Sequence, residues 1–370
     1  MNIIRVWPRR LKNFLRHFTC NSPNLFAKGA IHAHNKIRQG YLQRLREIGT
    51  IRRRFKDATE MICNSILDAV GHTPLVRLSR MVSPDMAEVL VKFEALNVGG
   101  SIKTRTAFNM IRDAEMHGRL KPDSIIVEPT SGNQGIGLAL IGAVKGYETI
   151  IVMPDSVSEE RRKLVRHYGA KVILVHDAGN IGAAIAECSA IAQRMAKENP
   201  RVFVPEQFSN PANPAAHRHG TALEIMEQAA KPIHGFCSGV GTGGTLSGIG
   251  EVLKAQNPGI EIWAVEPQNA AILAGGTVGT HLQMGIGDGL IPDNLNTQIY
   301  SHICVVTDEE ALNCARDLAR KEGLLAGISA GTNVFAALKL AKRLGVGKTV
   351  VTVLPDTAER YFSTPLFADE

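Results

Sequence analysis

The sequence predicts an α/β protein with two lobes, in which mainly parallel sheets are flanked by helices. From about residue 124, short runs rich in β-branched residues alternate with longer stretches whose apolar residues recur at helical spacing. The short runs are apolar throughout, as expected for strands that helices cover on both faces. A chain of 370 residues is long enough for two such domains.

The predicted elements alternate in chain order as strand 124–127, helix 134–145, strand 149–152, helix 158–167, strand 171–175, helix 181–197, strand 235–237, a helix after Gly244, and strand 260–265. Such alternation implies right-handed crossovers between parallel strands. Two prolines in Asn210–Pro214 predict an interruption of regular structure where the chain crosses between lobes. We expect a smaller lobe of residues 97–207 with 61–74, and a larger lobe of residues 208–370 with 75–96.

The net charge of +7 is distributed unevenly along the chain. Residues 1–60 hold 14 Lys and Arg against 3 Asp and Glu, whereas the remaining residues hold 28 against 32. This basic N-terminal extension has three interpretations: an organellar transit peptide, a nucleic-acid arm around Arg52–Arg54, or an upstream reading frame before a start at Met61. The mildly acidic body argues against nucleic acid as a partner.

Composition also bears on location and redox chemistry. No run of 18 apolar residues occurs, so we expect no membrane-spanning helix. The six cysteines are scattered, without the spacing of a zinc site or of a disulfide framework, and most are expected to be buried thiols in a reducing compartment. We therefore expect no metal site and a cytoplasmic protein, or an organellar one if the extension is a transit peptide.

A glycine-rich run, Ser238–Thr245, follows one predicted strand and opens a helix. Its glycines let the backbone approach a ligand closely, and amides at a helix N-terminus point at an anion such as a phosphate. Gly239, Gly241 and Gly244 also satisfy the G-x-G-x-x-G pattern, with Glu266 at the end of the next strand, so a nicotinamide enzyme is a rival hypothesis. A glycine-rich turn without a ligand is the third interpretation.

A second polar junction, Glu128–Gly137, also lies between a strand and a helix. Two hydroxyls, an amide side chain and several backbone N–H groups converge there, which suits a carboxylate or a phosphate. An ordinary helix cap would need only Thr130 or Ser131. The succession of polar and glycine positions exceeds that need and favours a binding loop.

Lys103 follows a glycine turn and precedes the helical stretch 107–117. Its ammonium would meet the positive end of the helix dipole, which lowers the pKa of an amine. Such a lysine suits a nucleophile or a Schiff base. The alternative is an ordinary solvated lysine.

These motifs together resemble the cysteine synthase (O-acetylserine sulfhydrylase) and cystathionine β-synthase family, pyridoxal-phosphate enzymes of the tryptophan synthase β-subunit fold. The resemblance covers residues 63–367 and runs in family order through Asn64–Val76, Ser101–Lys103, Pro129–Asn133, Gln207–Pro214, Gly241–Thr245 and Glu359–Thr364. It implies pyridoxal 5'-phosphate as the cofactor and a homodimer as the assembly.

The resemblance also implies roles for individual residues. Lys103 matches the catalytic lysine, which holds the cofactor as an internal aldimine and moves the proton at the substrate α-carbon. Ser329 matches the serine that faces the pyridine nitrogen, and a neutral hydroxyl there favours elimination over transamination. The matching cofactor-binding positions are Lys103, Asn133, Gly241, Thr242, Gly243, Gly244, Thr245 and Ser329. The matching substrate-binding positions are Thr130, Ser131, Gln134, Gln207 and Gly285, the last in a loop expected to close over the substrate.

The implied reaction is β-replacement on an O-activated L-serine, O-acetylserine and sulfide giving L-cysteine and acetate through an α-aminoacrylate. The partners would be an amino-acid substrate and a small nucleophile. Other products of the same chemistry remain open: cystathionine, diaminopropionate, sulfocysteine, or the products of a cysteine lyase. A nicotinamide enzyme would leave Lys103 and Asn133 without a role, and a non-enzymatic paralogue would need no Schiff-base lysine.

Four positions depart from the family pattern. Thr104 stands where aspartate is usual, Gln134 replaces a threonine, Met284 is inserted before Gly285, and Asp288 stands where a small residue is commoner. Gln134 and Asp288 would line or border the substrate site. They leave the leaving group and the nucleophile open.

Overall fold

The computed structural model of this protein describes residues 62–368. The three interpretations of the basic extension, including a start at Met61, fall outside the described residues. From Asn64 onward the described residues form one compact unit. Within residues 62–368, no helix combines the length and the apolarity needed to cross a membrane.

Ten strands and nine α-helices position the candidate site within the described residues. The strands are β1 (Leu75–Arg77), β2 (Glu88–Phe93), β3 (Ile125–Pro129), β4 (Glu148–Pro154), β5 (Lys171–Val175), β6 (Val202–Phe203), β7 (Gly235–Gly239), β8 (Glu261–Pro267), β9 (His302–Val306) and β10 (Thr349–Leu354). The helices are α1 (Lys103–Met116), α2 (Asn133–Lys145), α3 (Glu159–His167), α4 (Ile181–Glu198), α5 (Ala212–Ala216), α6 (Ala222–Ala229), α7 (Gly244–Gln256), α8 (Asp308–Glu322) and α9 (Ile328–Leu344).

The smaller sheet is parallel and has the strand order β5-β4-β3-β6. All five residues of β3 are buried, and β4 is buried from Thr149 onward, because helices cover both faces. Ile126 and Ile151 pack with α1 and α2 on one face, whereas Val127 and Val152 pack with Cys188 of α4 on the other. The predicted run of alternating strands and helices from residue 124 is confirmed.

The larger sheet has the order β1-β2-β10-β7-β8-β9, and all its pairs are parallel except β1 with β2. The central strand β10 is buried along its whole length and pairs with β2 and β7. Its alternating residues Val350 and Val351 point into separate apolar clusters on the two faces of the sheet. The prediction of mainly parallel sheets flanked by helices is therefore confirmed.

The two sheets come from different parts of the chain, since residues 125–203 supply the smaller and residues 75–93 and 235–354 the larger. The lobe boundaries at 97, 207 and 208 remain a prediction. The expectation that Asn210–Pro214 lacks regular structure is wrong, because α5 begins at Ala212. Pro211 precedes the helix and Pro214 lies in its first turn, where a missing backbone N–H breaks no helical hydrogen bond.

Candidate active site

One cleft gathers most of the residues to which the sequence assigned a role. It is lined by Ile102, Lys103, Asn133, Ser238, Gly239, Gly241, Thr242, Gly243, Thr245, Met284, Gly285, Ile286, Ser329, Asn333, Val353 and Pro355. The junctions after β3, β7 and β10 all contribute to this lining. Ligands of parallel α/β sheets bind at such carboxyl ends of strands.

Lys103 is the first residue of α1, and the segment before it is tied to the end of β10. The Ile102 amide donates to the Pro355 carbonyl at 2.8 Å, and Ser101 forms a bridge with Asp356. The pKa of the Lys103 ammonium is lowered, as the sequence predicted. The cause differs, because burial is the largest influence, while Asp288 and Asp356 act in the opposite direction.

The junction between β7 and α7 forms a cradle built from backbone. A Cβ on Gly241 would lie 2.5 Å from the Gly285 carbonyl oxygen, and one on Gly243 would lie 2.8 Å from the Leu295 backbone. A Cβ on Gly244 would collide with the Asn213 side chain. Gly243 also has φ 76°, a conformation that suits glycine. The loop thus leaves its amides at the N-terminus of a 13-residue helix open for an anion.

Two side chains support this cradle from behind, and sequence reasoning missed both. Asn213 Nδ2 donates to Thr242 Oγ1 at 2.8 Å and to the Gln207 carbonyl at 2.7 Å. His217 is buried, with Nε2 3.3 Å from Thr245 Oγ1. Burial lowers the pKa of His217 well below its usual value, so the imidazole is neutral at physiological pH. The sequence signal for both residues is the Gln207–Pro214 motif, which contains Asn213 and is closely followed by His217.

Asn133 is held by a polar network at the C-terminal end of β10. Asn133 Nδ2 donates to Asp356 Oδ2 at 2.6 Å, and Arg360 donates to Asn133 Oδ1. Tyr361 Oη donates to the same Asp356 oxygen at 2.8 Å, and Arg161 Nη2 donates to Tyr361 Oη at 2.7 Å. Asp356 and Arg360 were also missed. Arg360 lies in the Glu359–Thr364 motif, which resembles the family, and Asp356 comes two residues after β10 ends.

The loop Thr130–Asn133 has its other side chains engaged within the protein. Thr130 Oγ1 accepts from the Gly132 amide at 3.1 Å, and Ser131 Oγ donates to Asp288 Oδ1 at 3.3 Å. Asn133 lines the cleft, whereas Thr130 and Ser131 precede Asn133 in the chain and are not among the lining residues.

Gln134 and Gln207 are both buried beside that loop. Gln134 Oε1 accepts from Thr106 Oγ1 at 2.7 Å, and its buried Nε2 has no hydrogen-bond partner. Gln207 Nε2 donates to the Pro129 carbonyl at 3.1 Å. An unsatisfied buried donor is costly, so Gln134 Nε2 lacks an acceptor that the fold itself does not supply. Neither Gln134 nor Gln207 is among the residues that line the cleft.

Glu128 lies in β3, just before this loop, and holds the segment at Glu206 and Gln207 against it. Its carboxylate accepts from the Glu206 and Gln207 amides, both at 3.0 Å. Burial raises the pKa of Glu128 to about 8, in spite of these two hydrogen bonds.

The floor of the cleft contains Ser329 and Asn333 on α9. Ser329 is buried in the first turn of the helix and carries a neutral hydroxyl. Asn333 Oδ1 accepts from the Gly239 amide at 2.6 Å, and its Nδ2 donates to the Val353 carbonyl at 2.8 Å. Asn333 was missed by sequence reasoning, and it lies four residues after Ser329 on the same helix face.

The loop 285–289 begins at the cleft, where Gly285 and Ile286 are lining residues. The Gly287 amide donates to the Val240 carbonyl at 2.9 Å. Met284 and Gly285 line the cleft, so the inserted methionine borders the site. Thr104, which stands where aspartate is usual in the family, donates from Oγ1 to the Val98 carbonyl at 2.6 Å and stabilises the turn before Lys103.

Glu266 is engaged away from a nucleotide ribose. Its two carboxylate oxygens accept from the Leu273 and Ala274 amides at 2.9 and 3.1 Å. Its geometry gives no support to the nicotinamide hypothesis. Within residues 62–368, no three His, Cys, Asp or Glu side chains are grouped to hold a metal ion.

These groups fit a cofactor with a phosphate at one end and an aldehyde at the other. The backbone cradle at Gly241–Thr245 suits the phosphate, and Lys103 offers an amine of lowered pKa in the same cleft. Asn133 and Ser329 supply uncharged hydrogen-bonding groups in that cleft. The cleft can therefore hold pyridoxal phosphate.

Comparison with known proteins is consistent with this geometry. The model of a family described as pyridoxal-phosphate dependent enzyme matches residues 66–356. The cysteine synthase of Staphylococcus aureus strain N315 is 47% identical over 306 residues, covering 82% of this chain and 97% of that protein. The structure of an O-ureido-L-serine synthase has a TM-score of 0.78 and 42% identity, with 84% of this chain and 97% of that chain covered. The O-acetylserine dependent cystathionine β-synthase of Helicobacter pylori has a TM-score of 0.78 and 35% identity, with 84% and 100% covered.

Proposed function

Because the chain belongs to the family of pyridoxal-phosphate dependent enzymes, we propose that it catalyses β-replacement on an O-activated L-serine. The main reaction would convert O-acetylserine and sulfide into L-cysteine and acetate. The observation that carries the proposal is the meeting of Lys103, Asn133 and the glycine cradle in one cleft. The high identity to cysteine synthases over most of the chain supports it.

Lys103 holds the cofactor and moves the proton at the substrate α-carbon. A lysine acts as a nucleophile or base only when its amine is neutral. The lowered pKa of Lys103 increases the neutral fraction at physiological pH. When bound, pyridoxal phosphate supplies an electron sink for the negative charge that forms at the α-carbon.

The remaining residues bind and orient. The amides and hydroxyls of Gly241, Thr242, Gly243, Gly244 and Thr245 hold the phosphate. Asn133 would hydrogen-bond the 3-hydroxyl of the ring, and the neutral hydroxyl of Ser329 would serve the ring nitrogen without protonating it. Thr130, Ser131, Gln134 and Gln207 hold the substrate carboxylate, which takes up the free donor of Gln134. Gly285 lets its loop close over the bound substrate.

The nucleophile and the leaving group are the finer part of the proposal. Relatives of known structure include an O-ureido-L-serine synthase and a cystathionine β-synthase, so the same fold serves several nucleophiles. Initial rates with sulfide, thiosulfate, homocysteine and an amine, each with O-acetylserine, would rank these nucleophiles.

We also propose that the protein is a homodimer and that it is cytoplasmic. Light scattering would test the first, and cell fractionation the second.

The decisive experiment uses the colour of the cofactor. The purified protein is expected to be yellow, and O-acetylserine is expected to shift its absorbance. Lys103→Ala should abolish both the shift and the turnover while circular dichroism stays unchanged. Lys121→Ala, which removes an exposed lysine, is the matched control and should behave as the parent. A colourless protein, or turnover by Lys103→Ala, would contradict the proposal.

A further inference from the structure

Asp288 is a buried carboxylate between two parts of the candidate site. Asp288 is only 7% exposed. Oδ1 accepts from Ser131 Oγ at 3.3 Å, and Oδ2 lies 3.4 Å from the place that a Cβ on Gly241 would take. The carboxylate therefore sits between the loop proposed for the substrate carboxylate and the cradle proposed for the phosphate.

Few groups compensate the charge of Asp288. Burial raises the pKa of the Asp288 carboxyl, while Lys103, His281, the Ser131 hydrogen bond and Arg161 act in the opposite direction. None of the ion pairs described within residues 62–368 includes Asp288. Among the residues that the structure describes, the one side chain that donates a hydrogen bond to Asp288 is the neutral Ser131 hydroxyl. Asp288 lies behind Gly241, a lining residue of the cleft, and a buried charge without an ion-pair partner acts on an ion that enters the low-dielectric cleft beside it.

Resting on the β-replacement proposed above, we propose that Asp288 selects the second substrate by charge. It favours neutral or cationic nucleophiles, such as a thiol, hydrogen sulfide or an amine, over anionic ones such as thiosulfate. Where the family has a small residue at this position, no such charge borders the substrate loop. Asp288 thus acts as a specificity-determining residue of this chain.

Three thiols of similar length test the selection: 2-mercaptoethanol is neutral, mercaptoacetate is anionic and cysteamine is cationic. The cofactor-loaded parent and Asp288→Asn would each be assayed with O-acetylserine and every thiol. Comparing variant with parent for each thiol cancels the intrinsic reactivity of that thiol. Asparagine keeps the shape and a hydrogen bond to Ser131, so the comparison isolates the charge.

The kcat/KM for mercaptoacetate relative to 2-mercaptoethanol should rise about tenfold in Asp288→Asn, because one neighbouring charge shifts an ionic equilibrium by about that factor or more. The value for cysteamine relative to 2-mercaptoethanol should fall. Asp293→Asn removes an exposed acid five residues further along and should leave both ratios at the parent values. Equal ratios in Asp288→Asn and parent would overturn the inference.

Equilibrium binding gives a readout that needs no turnover. Sodium sulfate would be titrated into the cofactor-loaded proteins and followed through cofactor fluorescence. Asp288→Asn should bind sulfate about tenfold more tightly than the parent, and Asp293→Asn should match the parent. Unchanged sulfate affinity would contradict the charge selection. If the parent forms no product with any of the thiols, the proposed β-replacement itself is wrong. That outcome is distinct from a failure of charge selection by Asp288, in which product forms but the ratios are unchanged.

Discussion

Two strand–helix junctions border the same cleft and are built in different ways. The cradle between β7 and α7 owes its shape to backbone packing, since a Cβ on Gly241, Gly243 or Gly244 would overlap neighbouring atoms. The loop between β3 and α2 also needs a glycine, Gly132 at φ 146°, but its Asn133 is held by side-chain hydrogen bonds with Asp356 and Arg360. Backbone packing keeps the cradle rigid for a phosphate that stays bound, whereas the position of Asn133 depends on side chains far along the chain.

The largest expected effect is the loss of the cradle. Gly241→Ala would place its methyl group 2.5 Å from the Gly285 carbonyl oxygen, so the backbone must shift. Overpacking of this kind costs about 1–3 kcal/mol and moves the amides away from the phosphate. We expect the purified variant to lose most of its bound cofactor, measured by absorbance per protein.

Gly259→Ala is the control for this substitution. Gly259 is exposed, and a Cβ there would make an ordinary contact with Asn257 Oδ1 at 3.5 Å. The control should retain the parent's cofactor content. Full cofactor content in Gly241→Ala would mean that backbone packing does not set the shape of the cradle.

The network behind Asn133 gives the next largest effect. Asp356→Ala removes the acceptor shared by Asn133 and Tyr361 and leaves the buried Arg161 and Arg360 without their carboxylate. Breaking a buried ion pair costs about 3–5 kcal/mol. Urea denaturation should show that loss, whereas Asp293→Ala, at an exposed position, should show less than about 0.5 kcal/mol.

The two junctions differ in how stability depends on pH. The strand before the β3–α2 loop carries the titrating Glu128, whereas the strand before the cradle carries the neutral Ser238. The pKa of Glu128 is about 8 in the folded protein, against 4.5 as the ordinary value. Between these values the folded state binds a proton that the unfolded chain has released, so the free energy of unfolding falls as pH rises from about 4.5 to 8. The slope is at most about 1.4 kcal/mol per pH unit.

Glu128→Gln should flatten this dependence, as measured by urea unfolding at several pH values across that range. Its absolute stability should fall, because a glutamine offers one acceptor oxygen to the two amides of Glu206 and Gln207. Glu309→Gln, at an exposed position, should keep the parent's slope. An unchanged slope in Glu128→Gln would show that this carboxyl does not titrate there.

Ser131→Ala is expected to have the smallest effect on stability, below about 1 kcal/mol, because it removes one long hydrogen bond to Asp288. If the hydroxyl binds the substrate carboxylate, KM for O-acetylserine should rise about tenfold, since hydrogen bonds to charged groups contribute about 1.5–3 kcal/mol. Steady-state kinetics would measure it. A parent-like KM would remove Ser131 from the proposed substrate loop.

Local patterns predicted the parts of the fold and site that local residues determine. The strands and helices from β3 to α4 follow from runs of apolar residues, and the β7–α7 cradle follows from glycines between a strand and a helix. The expectation for the proline-rich segment at Asn210 was wrong, because prolines in a first turn are compatible with a helix.

The missed residues depend on tertiary packing. Asp356 and Arg360 reach Asn133 across 223 and 227 residues of chain, and no local spacing signals such a contact. The lowered pKa of Lys103 was predicted from the helix dipole, yet burial is its main cause, and burial depends on how β10 packs against the segment before α1.

The distance along the chain between Asn133 and its partners has a consequence for synthesis. A ribosome adds about 5–20 residues per second, so Asp356 is made roughly 10–45 s after Asn133. The β7–α7 cradle emerges between the two. During translation the nascent chain can thus present the glycine cradle and Lys103 before the group that holds Asn133 exists, so the full set of proposed cofactor contacts has to wait for the residues after strand β10.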